Sequence, residues 1–87
     1  MLIEYHRLFD KKFKKLDHKI KQAFSERLAI FMIDKFHPLL NNHILTGKYT
    51  GCRSINVTGD FRAIFTENQN GDVKFFDPDT HHNLFGQ

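Results

Sequence analysis

The chain has 87 residues, of which 40% are apolar and ten are Phe. That is enough apolar surface for one core and one domain, 1–87, and too much for an intrinsically disordered segment. Cys52 is alone, which excludes an internal disulfide and any cysteine-rich zinc site and fits a reducing compartment, the cytoplasm. A net charge of +3 and a pI near 9.2 tilt the chain towards anionic partners, and no apolar run is long enough for a signal peptide or a membrane span.

Leu2 to His6 is predicted as a first strand. Phe9, Phe13 and Leu16 then recur at helical spacing with lysines between them, giving a short amphipathic helix with a basic outer face. Asp17 is placed to cap a longer helix whose apolar stripe is Ile20, Phe24, Leu28 and Phe31, ended by His37-Pro38. The two helices are expected to form a hairpin. Asn41 to Gly51 reads as loop, and beyond it the period drops to two. Arg53–Val57, Phe61–Thr66 and Val73–Phe76 are predicted strands joined by Thr58-Gly59-Asp60 and by the turn at 68–72, with Pro78 ending the last. The expected fold is α+β in the order β-α-α-β-β-β, a helical hairpin on one face of an antiparallel sheet whose other face is free to act. The tail must cross back over the sheet if Leu84 and Phe85 are to be buried.

Several residues along this path can carry chemistry. His43 sits in a loop beside Asn41 and Asn42 rather than in a periodic apolar segment, and His81 and His82 lie near the C-terminus; imidazoles of this kind move protons near neutral pH. Arg53 and Arg62 lie within strands, where each either reaches the rim or faces a solvated site. An even-length turn puts the two on one face, whereas an odd-length turn places Arg62 with Asn56, and the sequence leaves that register open. Asp60 is a turn former by position. The basic run containing Lys11, Lys12 and Lys15 is either a solvated helix face or a ridge that contacts phosphate, and Phe61 and Phe85 are candidates to stack on an unpaired base. His43, His81, His82 and Asp60 lack the tight spacing of a metal site, and no metal or cofactor is assigned.

The run Asn-His-x-Leu-x-Gly-x-Tyr-x-Gly-x-Arg-Ser-Ile-x-Val-x-Gly-Asp-x-Arg-x-Ile over 42–64, followed by Thr-His-x-x-Leu-Phe over 80–85, resembles the RelE/YafQ branch of bacterial toxin–antitoxin toxins, in the RelE/ParE superfamily. The resemblance implies a ribosome-dependent mRNA interferase with a RelE-like fold. It implies an active site of His43, Asp60, His81 and Phe85, with Arg62 and Arg53 near the mRNA phosphate and Asn56 and Phe61 beside them. It also implies a cognate antitoxin as partner in a hetero-oligomer, with mRNA and the ribosome, rRNA included, as the target. Asn56 stands where some members have a further catalytic histidine, and Phe61 where Trp is frequent. Asp77-Pro78-Asp79 replaces a glycine-containing run. Because Asn cannot exchange a proton, acid/base duty would fall on His43 or His81. A non-nuclease protein of the same fold is the alternative, either a ParE-like gyrase inhibitor or an inactive toxin kept as an antitoxin-binding corepressor.

Overall fold

A computed structural model describes residues 1–80; the predicted sites at His81, His82 and Phe85 and the returning tail lie outside the described residues. The described elements are β1 (Ile3–Tyr5), α1 (Arg7–Lys14), α2 (His18–Ile33), a 3-10 turn (Pro38–Leu40), β2 (His43–Ile44), a second 3-10 turn (Gly47–Tyr49), β3 (Arg53–Asn56), β4 (Phe61–Glu67) and β5 (Val73–Thr80). They form an α+β fold with one sheet in the order β1-β5-β4-β3-β2. β3, β4 and β5 pair antiparallel, as expected, and β2 adds antiparallel to β3, while β1 runs parallel to β5 and makes the sheet mixed.

Both helices start on side-chain caps that occupy otherwise orphaned N–H groups. The His6 ring Nδ1 accepts from Leu8 N at 3.0 Å, and Asp17 Oδ1 accepts from Lys19 N at 2.7 Å. α2 stops at Ile33 rather than continuing to His37-Pro38. Asp34 takes extended φ/ψ angles and its carboxylate receives Phe36 N at 3.1 Å, a local turn that competes with another helical residue.

The helices bury their stripes against one face of the sheet. Phe9, Phe24 and Phe31 meet Ile55, Val57, Ala63, Phe65 and Phe75, with Phe24 and Phe31 standing edge-on to Phe75 and Phe65 at centroid separations of 5.3 Å. A smaller cluster of Leu45 and Ile64, with Tyr49, Cys52 and Phe76 against it, lies on the opposite, outer face. That face is therefore partly covered rather than wholly open. Gly47 (φ 68) and Gly51 (φ 91) take the left-handed turns that fold the β2–β3 connection back onto it.

Two further expectations change. The segment expected to be loop from Asn41 to Gly51 contains β2, which pairs His43 with Ser54 and Ile44 with Arg53. Pro78 does not end the last strand but lies within β5, opposite Ala63. Among the described residues β1 flanks β5 only up to Phe75, and proline, having no N–H, is accommodated where no neighbouring strand calls on it as a donor. A bulge at Ile64/Phe65 leaves Phe75 opposite Phe65 and Asp77 opposite Ile64, with Phe76 as the additional residue.

Candidate functional site

The three-residue loop Thr58-Gly59-Asp60 sets the β3–β4 register. Thr58 Oγ1 receives Phe61 N at 3.1 Å, Val57 N reaches Phe61 O at 2.9 Å, and Asn56 falls opposite Arg62. Arg53 falls opposite Phe65, a core residue on the helix side. Since successive side chains alternate between faces, Arg53 and Arg62 end on opposite faces of the sheet.

The outer face carries two cross-strand rows. One runs His43, Ser54, Ile64, Asp77 and the next runs Asn56, Arg62, with Asp79 as the backbone partner of Arg62. Arg62 is half-buried and donates from a terminal guanidinium nitrogen to Asn56 Oδ1, which fixes the plane of its fork. His43 Nδ1 lies 2.7 Å from the carbonyl oxygen of Asn41, a residue in the left-handed region (φ 46). A carbonyl only accepts, so Nδ1 carries the hydrogen and the unprotonated lone pair of the neutral ring sits on Nε2. Two strand spacings and two residues of rise separate His43 from Arg62, roughly 12 Å between Cα positions. Between them Ser54 is fully buried, and its hydroxyl has no hydrogen-bond partner among the described residues.

The other predicted residues are dispersed. Arg53 Nε donates to Asn42 Oδ1 at 2.8 Å and its guanidinium lies 5.5 Å from the Phe36 ring centre, so it binds the helix-side rim together rather than joining Arg62. Phe61 is half-buried against the helix-side core. Asp60 is exposed at the hairpin tip, its backbone N–H 3.4 Å from Thr58 Oγ1. Lys11 and Lys15 are exposed on and just after α1, whereas Lys12 Nζ donates to Asp77 Oδ1 at 2.7 Å. The structure thus brings His43, Asn56 and Arg62 to one face and leaves Arg53 and Phe61 on the other.

Sequence reasoning missed Ser54, Tyr49 and Asp77. Ser54 gave no signal, being one polar residue in an alternating strand. Asp77 lies beyond the predicted end of the last strand at Phe76, and the rule that a buried acid must be paired applies to it only because β5 runs on to Thr80. Burial pushes the Cys52 thiol above its ordinary value, and burial followed by the Asp10 charge does the same to the Tyr5 phenol on the helix side. No group of three or more His, Cys, Asp or Glu is gathered to hold a metal among the described residues, and none of their helices is long and apolar enough to cross a membrane.

No known family profile matches the sequence, and no curated protein matches it. Solved structures do match. The YoeB/ParE toxin from Agrobacterium tumefaciens superposes with a TM-score of 0.75 at 13% identity, over 93% of this chain and 99% of that one. The archaeal RelE–RelB complex from Pyrococcus horikoshii matches at a TM-score of 0.72 and 19% identity, over 91% and 92% of the two chains. The E. coli DinJ–YafQ toxin–antitoxin complex matches at 0.63 and 24%, over 97% and 96%. Agreement over almost the whole length of both partners means that this chain has the RelE-like fold shared by the RelE, YafQ, YoeB and ParE toxins.

Proposed function

We propose that the chain is the toxin of a toxin–antitoxin pair and cleaves mRNA on the ribosome. The observation that carries this reading is the Arg62 guanidinium, held by Asn56 on the same sheet face as a histidine whose Nε2 is the basic atom. In the scheme, the ribose 2′-oxygen attacks the adjacent phosphorus and the bond from phosphorus to the 5′-oxygen breaks. The products are a 2′,3′-cyclic phosphate and a 5′-hydroxyl. A base takes the 2′-hydroxyl proton and an acid returns one to the departing oxygen. His43 Nε2 is suited to the first duty, and His81 is its proposed partner, with Asp60 orienting an imidazole and Phe85 stacking on a base. Arg62 stabilises charge on the pentacoordinate phosphorus; Asn56 keeps it aimed. Neither a metal nor a cofactor is needed to balance these steps.

Positioned proton transfer contributes about 10²- to 10⁴-fold in rate, so charge stabilisation and in-line placement must supply the remainder. The ribosome would provide much of that placement. Lys11 and Lys15 would add sequence-independent phosphate contacts. A cognate antitoxin would silence the protein by covering the sheet face and the basic helices.

One observation favours a second reading. Asn56 cannot titrate and is engaged with Arg62, which also suits a protein of this fold that binds without cutting, such as a gyrase inhibitor or a corepressor. The deciding experiment is to induce the protein and map 5′ ends on a translated and an untranslated copy of one transcript. New ends in the translated copy alone support the nuclease. Intact messages with blocked replication support the gyrase reading and overturn the first.

A further inference from the structure

Among the described residues, Asp77 is the only charged side chain in the buried class, 8% exposed. Its Oδ1 lies 2.7 Å from Lys12 Nζ and its Oδ2 3.5 Å from the Tyr49 hydroxyl, so it connects α1, the β2–β3 connection and β5. Lys12 comes from a helix whose Phe9 is in the helix-side core, yet it reaches an acid in the outer-face row. β1 flanks β5 only to Phe75, and the lysine side chain is 39% exposed where its ammonium meets the 11% exposed carboxylate.

A carboxylate removed from water is costly unless paired, so the ammonium that satisfies it is held in place. Such a pair has no net charge and releases no counterion when a polyanion approaches. Lys11 and Lys15, beside it in sequence, are exposed and have no such constraint from Asp77. We infer that Asp77 withholds Lys12 from RNA, so that the basic run of α1 binds more weakly than its lysine count allows. The inference rests on the reading that this protein engages RNA, and it assigns Asp77 a role in setting the strength of that engagement.

The test compares the full chain with Asp77→Asn and with the double variant Asp77→Asn/Lys12→Met, each checked for an intact melting transition. At neutral pH, acylation of individual lysines is followed by peptide mass. Lys12 in the wild-type chain should label several-fold more slowly than Lys11 and Lys15; equal rates overturn the inference. Binding of a single-stranded RNA oligomer, without ribosomes, is then measured across salt. Asp77→Asn should bind more tightly and with a steeper salt slope, and the double variant should return to wild-type behaviour. A double variant weaker than wild type would mean that Lys12 already contacts RNA, and an unchanged Asp77→Asn, or no binding by any of the three, likewise ends the proposal. Should Asp77→Asn fail to fold, the labelling comparison and the double variant decide. Absence of cleavage by the wild-type chain on ribosomes counts only against the nuclease, since the binding comparison is made without them.

Discussion

Asn56 and Arg62 are direct partners across the β3–β4 ladder, and the guanidinium of one donates to the amide oxygen of the other. An arginine anchored in this way has the plane of its guanidinium fixed, and it loses less freedom on meeting a phosphate than an unanchored side chain would.

Replacing Arg62 with Ala is expected to lower single-turnover cleavage on programmed ribosomes by about 10²- to 10³-fold, the usual cost of removing a donor to a developing anion. Asn56→Ala should give a smaller loss in the same assay, because the cation stays while its aim is lost.

His43→Gln retains a polar side chain at β2 but cannot exchange a proton. Cleavage should fall by about 10²-fold or more, with binding of the message unchanged. A variant that binds and cuts like the wild type would remove His43 from the mechanism.

Phe75 is fully buried and its ring lies against those of Phe9, Phe24, Phe31 and Phe65. Phe75→Ala should cost about 3–5 kcal/mol in urea unfolding. Against a total of about 5–15 kcal/mol for a single domain, that removes between about a fifth and all of the stability.

Burial raises the Cys52 thiol in the folded chain. The thiolate is the reactive form, so alkylation at neutral pH should be slower than for a free thiol and should accelerate on unfolding. The same shift has a sign for stability. Above the ordinary thiol value the unfolded chain has lost its proton while the folded chain retains it, so the folded state binds more protons and loses stability as pH rises. At neutral pH both states are protonated and the contribution is constant. Cys52→Ser should flatten that alkaline decline in melts recorded across pH.

The elements legible in the sequence were those with sustained periodicity. The Phe24 and Phe31 stripe and the alternation of Ile55, Val57, Ala63 and Phe65 point to the core that forms, and Asp17 caps α2 as its position predicts. β2 was not legible, because two residues among asparagines and glycines have no period, and only their pairing with Ser54 and Arg53 makes them a strand. Pro78 was misleading because its effect depends on what flanks the strand, a tertiary fact. The faces of Arg53 and Arg62 depended on one loop residue more or less, and the Thr58 hydroxyl that settles it acts through geometry. The candidate site was legible as residue types and not as an arrangement. His43, Asn56 and Arg62 converge on one face, whereas Arg53 reads the same in sequence and lies on the other.

The pairing of Ile3, Glu4 and Tyr5 with Val73, Lys74 and Phe75 also orders events during synthesis. Leu2 N meets Asp72 Oδ1 across 70 positions of sequence, so β1 has to wait for the synthesis of everything between it and β5. At about 5–20 residues per second that delay is roughly 4–14 s. A nascent chain cannot pair β1 with β5 until the residues between them are made, so this edge of the sheet closes after β2, β3 and β4 have been synthesised.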